Sequence, residues 1–273
     1  MEALRRDLAL VLAAIPARYA ATRFPGKALA EISGRPMIAW VVELSSRAAT
    51  IDEVRVITDT PAIAQAAEVA GAVAVISERP AASGTDRIAH LLELDPVAAR
   101  ATVVVNVQGD EPLLEPAAID ATVRALDRDP RVDIATLVRP IRNAERPDDP
   151  HLVKALIDAE GRALGFQREP AAGEAKSRIH VGLYVYRRHA FDRFAAASPS
   201  QSELAHRLEQ LRALELGLVI RCVEVETAAI GVDTPADLAR ASPPRRSGCS
   251  LKHVGSRSPS RNSIPTSMSI RAL

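Results

Sequence analysis

At 273 residues, 47% of them hydrophobic and 25% charged, the chain can bury a full core and has neither a disordered nor a fibrous composition. Lysine and arginine number 35 against 34 aspartates and glutamates, so no global field draws it to nucleic acid or an anionic membrane, and anion binding must be local. Cys222 and Cys249 supply neither a disulfide framework nor metal-ligand spacing, and no stretch approaches the roughly 20 apolar residues of a membrane span, so a reducing, cytoplasmic setting is expected.

In chain order, the run at residues 8–15 reads as a strand; it is too short for a span and leads straight into a charged loop, which argues against a cleaved signal. Residues 54–58, 72–76, 102–107 and 134–138 are further β-rich runs. Between them, 36–48, 61–70, 85–94 and 116–126 carry apolar residues at helical spacing, three with proline at or near the first position. This alternation predicts right-handed crossovers and a largely parallel sheet covered on both faces. After residue 140 the rhythm changes. Residues 152–158 and 163–168 flank Ala159-Glu160-Gly161, a hairpin signal, and 179–187 reads as another strand. A single amphipathic helix is expected over 202–216, with leucines at 204, 208, 211 and 214, then a strand at 218–225 and a short helix from Pro235.

The expected architecture is thus α/β, with a mostly parallel sheet flanked by helices and a small antiparallel insertion lobe within residues 140–200 of a domain spanning 1–241. From Ser242 the composition turns to Ser, Arg, Pro and Lys without apolar period, so 242–273 is expected to be a disordered tail.

Ligands of open α/β sheets bind outside the carboxyl ends of the strands. There the loop "PARYAATRFPGK" carries Arg18, Arg23 and Lys27: two planar forks and one point charge suited to phosphate oxygens, with Pro25-Gly26 as a tight turn. Alone, it reads almost equally well as a solvated loop. The strand 103–107 ends in Gln108-Gly109-Asp110-Glu111, so Asp110 is placed to hold a divalent cation against phosphates, while Glu111 faces either structure or solvent. Asp233 precedes the last helix as either its N-cap or a second carboxylate reaching Asp110 across the cleft. Ser83-Gly84-Thr85 opens a helix whose free amides cap it or receive a ligand. His180, in a strand, is a substrate hydrogen-bond donor or a structural histidine.

Seven ordered blocks, "PARYAATRFPGKAL", "SGRPMIAWVVE", "SGTDRIAHLLE", "VVVNVQGDEPLLEP", "HVGLYVYRR", "LEQLRALELG" and "GVDTPADL", resemble the 3-deoxy-manno-octulosonate cytidylyltransferases, or CMP-Kdo synthetases, over about residues 8–241. The resemblance implies a nucleotide-diphospho-sugar transferase (glycosyltransferase-A-like) fold. The implied reaction, CTP + Kdo → CMP-Kdo + diphosphate, activates the sugar for lipopolysaccharide assembly. It implies Arg18, Arg23 and Lys27 on the CTP phosphates, Pro16 and Ala17 beside the cytidine, and Ser83, Gly84 and Arg87 in the nucleotide-side loop. Asp110 and Asp233 match the family's Mg²⁺-binding aspartates, and with Arg18 and Lys27 form the implied catalytic set. Gln108, His180, Tyr184, Glu209 and Gln210 fall on positions lining the sugar pocket. Partners are then CTP and a sugar acid, without nucleic acid or membrane insertion, in a homodimer.

One segment departs from the family pattern. Where the family carries an Ile-Pro-aromatic-x-Arg-Asp element after its Phe-Ser-Arg, this chain has only residues 169–176 between Phe166-Gln167-Arg168 and His180. Arg168 is retained, so the resemblance still allows it a contact to the sugar carboxylate. The shortening leaves the sugar acid open among Kdo, a modified Kdo and an acylneuraminate; a degenerate, non-catalytic nucleotide binder is the rival outside enzymes.

Overall fold

A computed structural model of the chain describes residues 10–20, 24–142, 145–146, 148–170, 176–226 and 231–241. The expected tail, 242–273, lies outside the described residues, as does most of the shortened segment.

The first half alternates as its pattern predicts. Strand β1 (Val11–Ala17) is followed by a minimal hairpin, β2 (Glu31–Ile32) and β3 (Arg35–Pro36), and then α1 (Met37–Ser46). The series continues through β4 (Glu53–Thr58), α2 (Pro61–Val69), β5 (Val73–Ile76), α3 (Gly84–Leu94), β6 (Val103–Val107), α4 (Pro116–Arg128) and β7 (Ile134–Arg139). Proline opens α2 and α4, where its missing N–H would have no intrahelical acceptor anyway. Ser83 opens α3 through a reciprocal capping box with Asp86.

Next come β8 (Lys154–Ile157) and β9 (Ala163–Gln167), an antiparallel hairpin, and the long β10 (Lys176–Arg187). The chain ends with α5 (Arg188–Ala196), α6 (Gln201–His206), α7 (Glu209–Glu215), β11 (Ile220–Glu224) and α8 (Pro235–Ala241).

The main sheet runs β11-β7-β10-β6-β1-β4-β5. Within that path β10 alone opposes its neighbours β6 and β7, and the other pairs are parallel. The first residues of β10 pair with β8, so the hairpin is continuous with the main sheet through one strand. Period-two alternation in β1 feeds two core layers: Val11, Ala13 and Ile15 pack on the α1 and α4 side, Leu12 and Ala14 against α3 and α5. Both faces are buried, which is why the run reads as continuously apolar.

The single helix expected over 202–216 is two. A capping box between Ser200 and Glu203 starts α6, and Arg207, at φ 54°, ends it in the left-handed region. The break has a packing cause. Leu208 turns inward to 3% exposure while Leu204 remains 67% exposed, so the four leucines do not share one helical stripe.

Helix α8 returns to the start of the chain. Val232 and Ala241 share a small apolar cluster with Ile32 and Met37, against which Phe24, Trp40 and Leu238 pack. This docking carries residue 233 to the loop after β1. Among the described residues no helix is long and apolar enough to cross a membrane.

Candidate active site

At the carboxyl edge of β1 and β6 lies a cleft of about 270 Å³. The end of β1 supplies Pro16, Ala17 and Arg18, and the following turn Phe24, Lys27 and Ala28. The first turns of α3 supply Ser83, Gly84 and Arg87; the turn after β6 supplies Gln108, Gly109 and Asp110; Asp233 completes the wall. The turn before Lys27 closes through Gly26, whose N–H donates to Tyr19 O at 2.8 Å and whose φ of 72° disfavours a side chain. Arg23 lies outside the described residues.

Lys27 is the charge centre. Its Nζ donates to Asp110 Oδ2 and, at 3.1 Å, to Asp233 Oδ1. Burial works against the charged amine, but the two carboxylates outweigh it and hold its pKa above the ordinary lysine value. Asp233 is not the N-cap of α8: Thr234 takes that place, its Oγ1 accepting from Asp237 N at 3.2 Å while Asp237 Oδ2 accepts from Thr234 N at 2.9 Å. The Asp233 carboxylate points instead at Lys27. Backbone pairing fixes the two aspartates together, with Val232 N donating to Asp110 O at 2.8 Å.

These residues fit a magnesium ion. Two carboxylates from distant segments converge on one cation, the ammonium of Lys27, and Mg²⁺ favours one or two protein carboxylates completed by phosphate oxygens and water. Among the described residues no group of three His, Cys, Asp or Glu gathers that would make an all-protein cage.

The expected sugar-side residues are arranged differently. Gln108 lines the cleft, its Nε2 donating to Asn106 Oδ1 at 2.9 Å. His180 and Tyr184 project from β10 into an aromatic row with Phe166 and Tyr186 and do not line the cleft. Burial pushes the His180 imidazole down to about 4, and burial together with the Glu209 charge raises the Tyr184 phenol. Glu209 opens α7 and accepts from Thr85 Oγ1 at 3.0 Å, which joins the α3 side of the cleft to α7; Gln210 beside it is buried. Arg168 stands at the end of β9, its Nη1 donating to Pro150 O at 2.9 Å.

Glu111 is the residue that local sequence could not place. It is 8% exposed, and a Cβ added to Gly182 or Gly231 would sit 3.2 and 3.3 Å from its Oε1. Burial, with Asp110 beside it, pushes its carboxyl up to about 8. Its neighbours come from β10 and from the segment before Asp233, so only the glycines at 182 and 231 hint at it.

The cytidylyltransferase family profile matches residues 12–221. A 3-deoxy-manno-octulosonate cytidylyltransferase of Geobacter sulfurreducens is 46% identical over 248 residues, covering 84% of this chain and 97% of that protein. One from Methylorubrum populi is 48% identical over 232 residues, covering 83% and 93%. Among solved structures, a CMP:2-keto-3-deoxy-manno-octonic acid synthetase complexed with CTP superposes with a TM-score of 0.78 at 36% identity, covering 85% of this chain and 96% of that one. A 4-diphosphocytidyl-2C-methyl-D-erythritol synthase from Anaerococcus prevotii shares the fold, with a TM-score of 0.58 at 15% identity, covering 85% and 94%.

Proposed function

The chain belongs to the 3-deoxy-manno-octulosonate cytidylyltransferase family, and we propose on that premise that it transfers CMP from CTP to 3-deoxy-D-manno-octulosonate, releasing diphosphate. The observation that carries the reading is the convergence of Asp110 and Asp233 on Lys27 in a cleft that Arg18 and Arg87 also line.

Attack by the anomeric hydroxyl on the α-phosphorus builds negative charge on the entering, leaving and equatorial oxygens. Arg18, Arg23 and Lys27 neutralise it, the arginines as planar forks and Lys27 as a point charge. Ser83, Gly84 and Arg87 hold the nucleotide at the α3 side, with Pro16 and Ala17 beside the cytidine. Asp110 and Asp233 would hold Mg²⁺, which supplies Lewis-acid stabilisation of phosphate oxygens when bound. Lys27, placed between the two carboxylates, would offer its ammonium to a phosphate oxygen.

Gln108, Arg168, His180, Tyr184, Glu209 and Gln210 form the sugar side, with Arg168 directed to the sugar carboxylate. His180 acts there as a neutral hydrogen-bonding group, since burial keeps its imidazole unprotonated at neutral pH. The working setting is the cytoplasm, as a homodimer.

Diphosphate release with CTP, Mg²⁺ and a panel of sugar acids tests the reading. Turnover is expected with 3-deoxy-D-manno-octulosonate; binding of CTP without turnover on any sugar acid sinks it. The short 169–176 segment favours one second reading, activation of a modified Kdo or an acylneuraminate, and the same panel separates it.

A further inference from the structure

Asp59 follows the last residue of β4 and does not line the cleft, yet two of the cleft's walls are tied to it. Its Oδ2 accepts from Arg87 Nη2 at 2.8 Å. Its Oδ1 accepts from Thr60 Oγ1 at 2.8 Å and from the backbone N–H of Tyr19 at 3.4 Å. Arg87 is 8% exposed and lines the cleft from α3, while Tyr19 directly follows Arg18, which lines it from the end of β1.

A guanidinium buried to that degree needs a counter-charge to offset its desolvation and hold it in place. Among the described residues the bond to Asp59 is the side-chain bond Arg87 makes, and it uses one of five N–H donors. The rest of the fork is left for a ligand. The Asp59 carboxylate is suited to this: although burial opposes it, the Thr60 hydroxyl, the Arg87 charge and the Tyr19 N–H hold its pKa below the ordinary aspartate range. It is only partly buried, so replacing it opens no core.

We propose that Asp59 is a positioning residue for nucleotide binding, aiming the Arg87 fork into the cleft and anchoring the backbone beside Arg18 so that both cations meet the triphosphate together. The proposal rests on the reading of this cleft as a nucleotide triphosphate site. Asp59 touches no substrate; it acts through Arg87 and the loop after β1. A merely structural ion pair would change folding stability alone, whereas a positioning pair also changes the affinity for CTP and does so through Arg87.

The test is a double-mutant cycle on the full chain, with CTP titrated calorimetrically into wild type, Asp59→Asn, Arg87→Met and the double variant, and melting temperatures measured alongside. Asp59→Asn keeps the shape and a carbonyl oxygen beside Arg87 but removes the counter-charge, so its melting temperature should fall somewhat and is read alongside the affinity. CTP binding is expected to weaken by roughly tenfold in each single variant, with the double variant losing much less than the product of the two. The KM for the sugar acid should stay at its wild-type value in Asp59→Asn while the KM for CTP rises. Unchanged CTP affinity in Asp59→Asn overturns the proposal, as does a double variant that loses the full product. Failure of wild type to bind CTP overturns the nucleotide reading itself, and so is distinguishable from failure of this inference.

Discussion

Lys27 Nζ donates to Asp233 Oδ1 at 3.1 Å, joining residues 206 positions apart, and the same amine donates to Asp110. One ammonium thus bridges two carboxylates in a part-buried cluster and leaves one negative charge uncompensated by it. If Asp233 holds charge at the reacting phosphate, Asp233→Asn should lower kcat by ~10²–10³-fold, the magnitude typical of removing one preorganised electrostatic group. CTP affinity should change less, by under ~10-fold, because on the proposed reading the other phosphate cations are untouched. Diphosphate release gives the first quantity and calorimetry the second; weaker CTP binding with kcat unchanged would make Asp233 a plain binding residue.

Asp110 was legible because a buried strand followed directly by a glycine and a carboxylate puts that carboxylate at the sheet edge whatever the rest of the chain does. Asp233 was ambiguous. Its own neighbourhood, Asp-Thr-Pro, permits a cap at either residue, and the choice is made by Thr234 pairing with Asp237 and by α8 packing on Ile32 and Met37. The strands and proline-started helices of the first half were readable for the same local reason as Asp110. The break between α6 and α7 was not, because a leucine period reports spacing and is silent on which leucine the α7 side of the core takes in. Glu111 depends wholly on glycines contributed by other segments, so no window around it reports its burial.

The hydrogen bond from Thr85 to Glu209 spans the α3 side of the cleft and α7, and Glu209 Oε1 also lies 3.8 Å from Arg212 Nη2. Thr85→Val preserves shape and removes the donor. If Glu209 lines the sugar side as proposed, KM for the sugar acid should rise by roughly tenfold, corresponding to a lost bond to a charged group, while the CTP KM stays put. Thr85→Ser should recover most of the loss. A rise confined to the CTP KM would assign Thr85 to the nucleotide alone.

His180 makes stability depend on pH in a definite direction. Thr136 Oγ1 spends its proton on Leu183 O at 2.7 Å and so accepts from His180 Nε2–H at 2.9 Å, which leaves Nδ1 bare. Burial pushes the imidazole from 6.5 down to about 4, so between those values the unfolded chain binds a proton that the native chain refuses. Stability from this group is full above about pH 6.5 and falls as pH drops towards 4, by at most ~2 kcal/mol between pH 7 and 5. Urea midpoints at the two pH values should therefore separate more in wild type than in His180→Phe. Equal separation would remove His180 as a source of the dependence.

Lys154 is 1% exposed, and its Nζ donates at 2.6 Å both to Asp149 O and to Arg168 O. The buried amine therefore ties the end of β9, where Arg168 stands, to the turn before β8, while Val153 O next to it accepts from His180 N at 2.8 Å. Two opposed effects decide what Lys154→Met does. Removing a desolvated charge is favourable, but Arg168 O loses this donor, at ~1–3 kcal/mol for a carbonyl left unsatisfied, while Asp149 O keeps its bond from Leu152 N at 3.2 Å. With Arg168 O losing that donor and the tie between the two segments broken, the second effect should win and the urea midpoint should fall. Because Lys154 fixes the backbone at Arg168, the proposed sugar-side arginine, the KM for the sugar acid should rise with it, and the CTP KM should not. A variant more stable than wild type with both KM values unchanged would make Lys154 a tolerated buried charge rather than a support of the sugar wall.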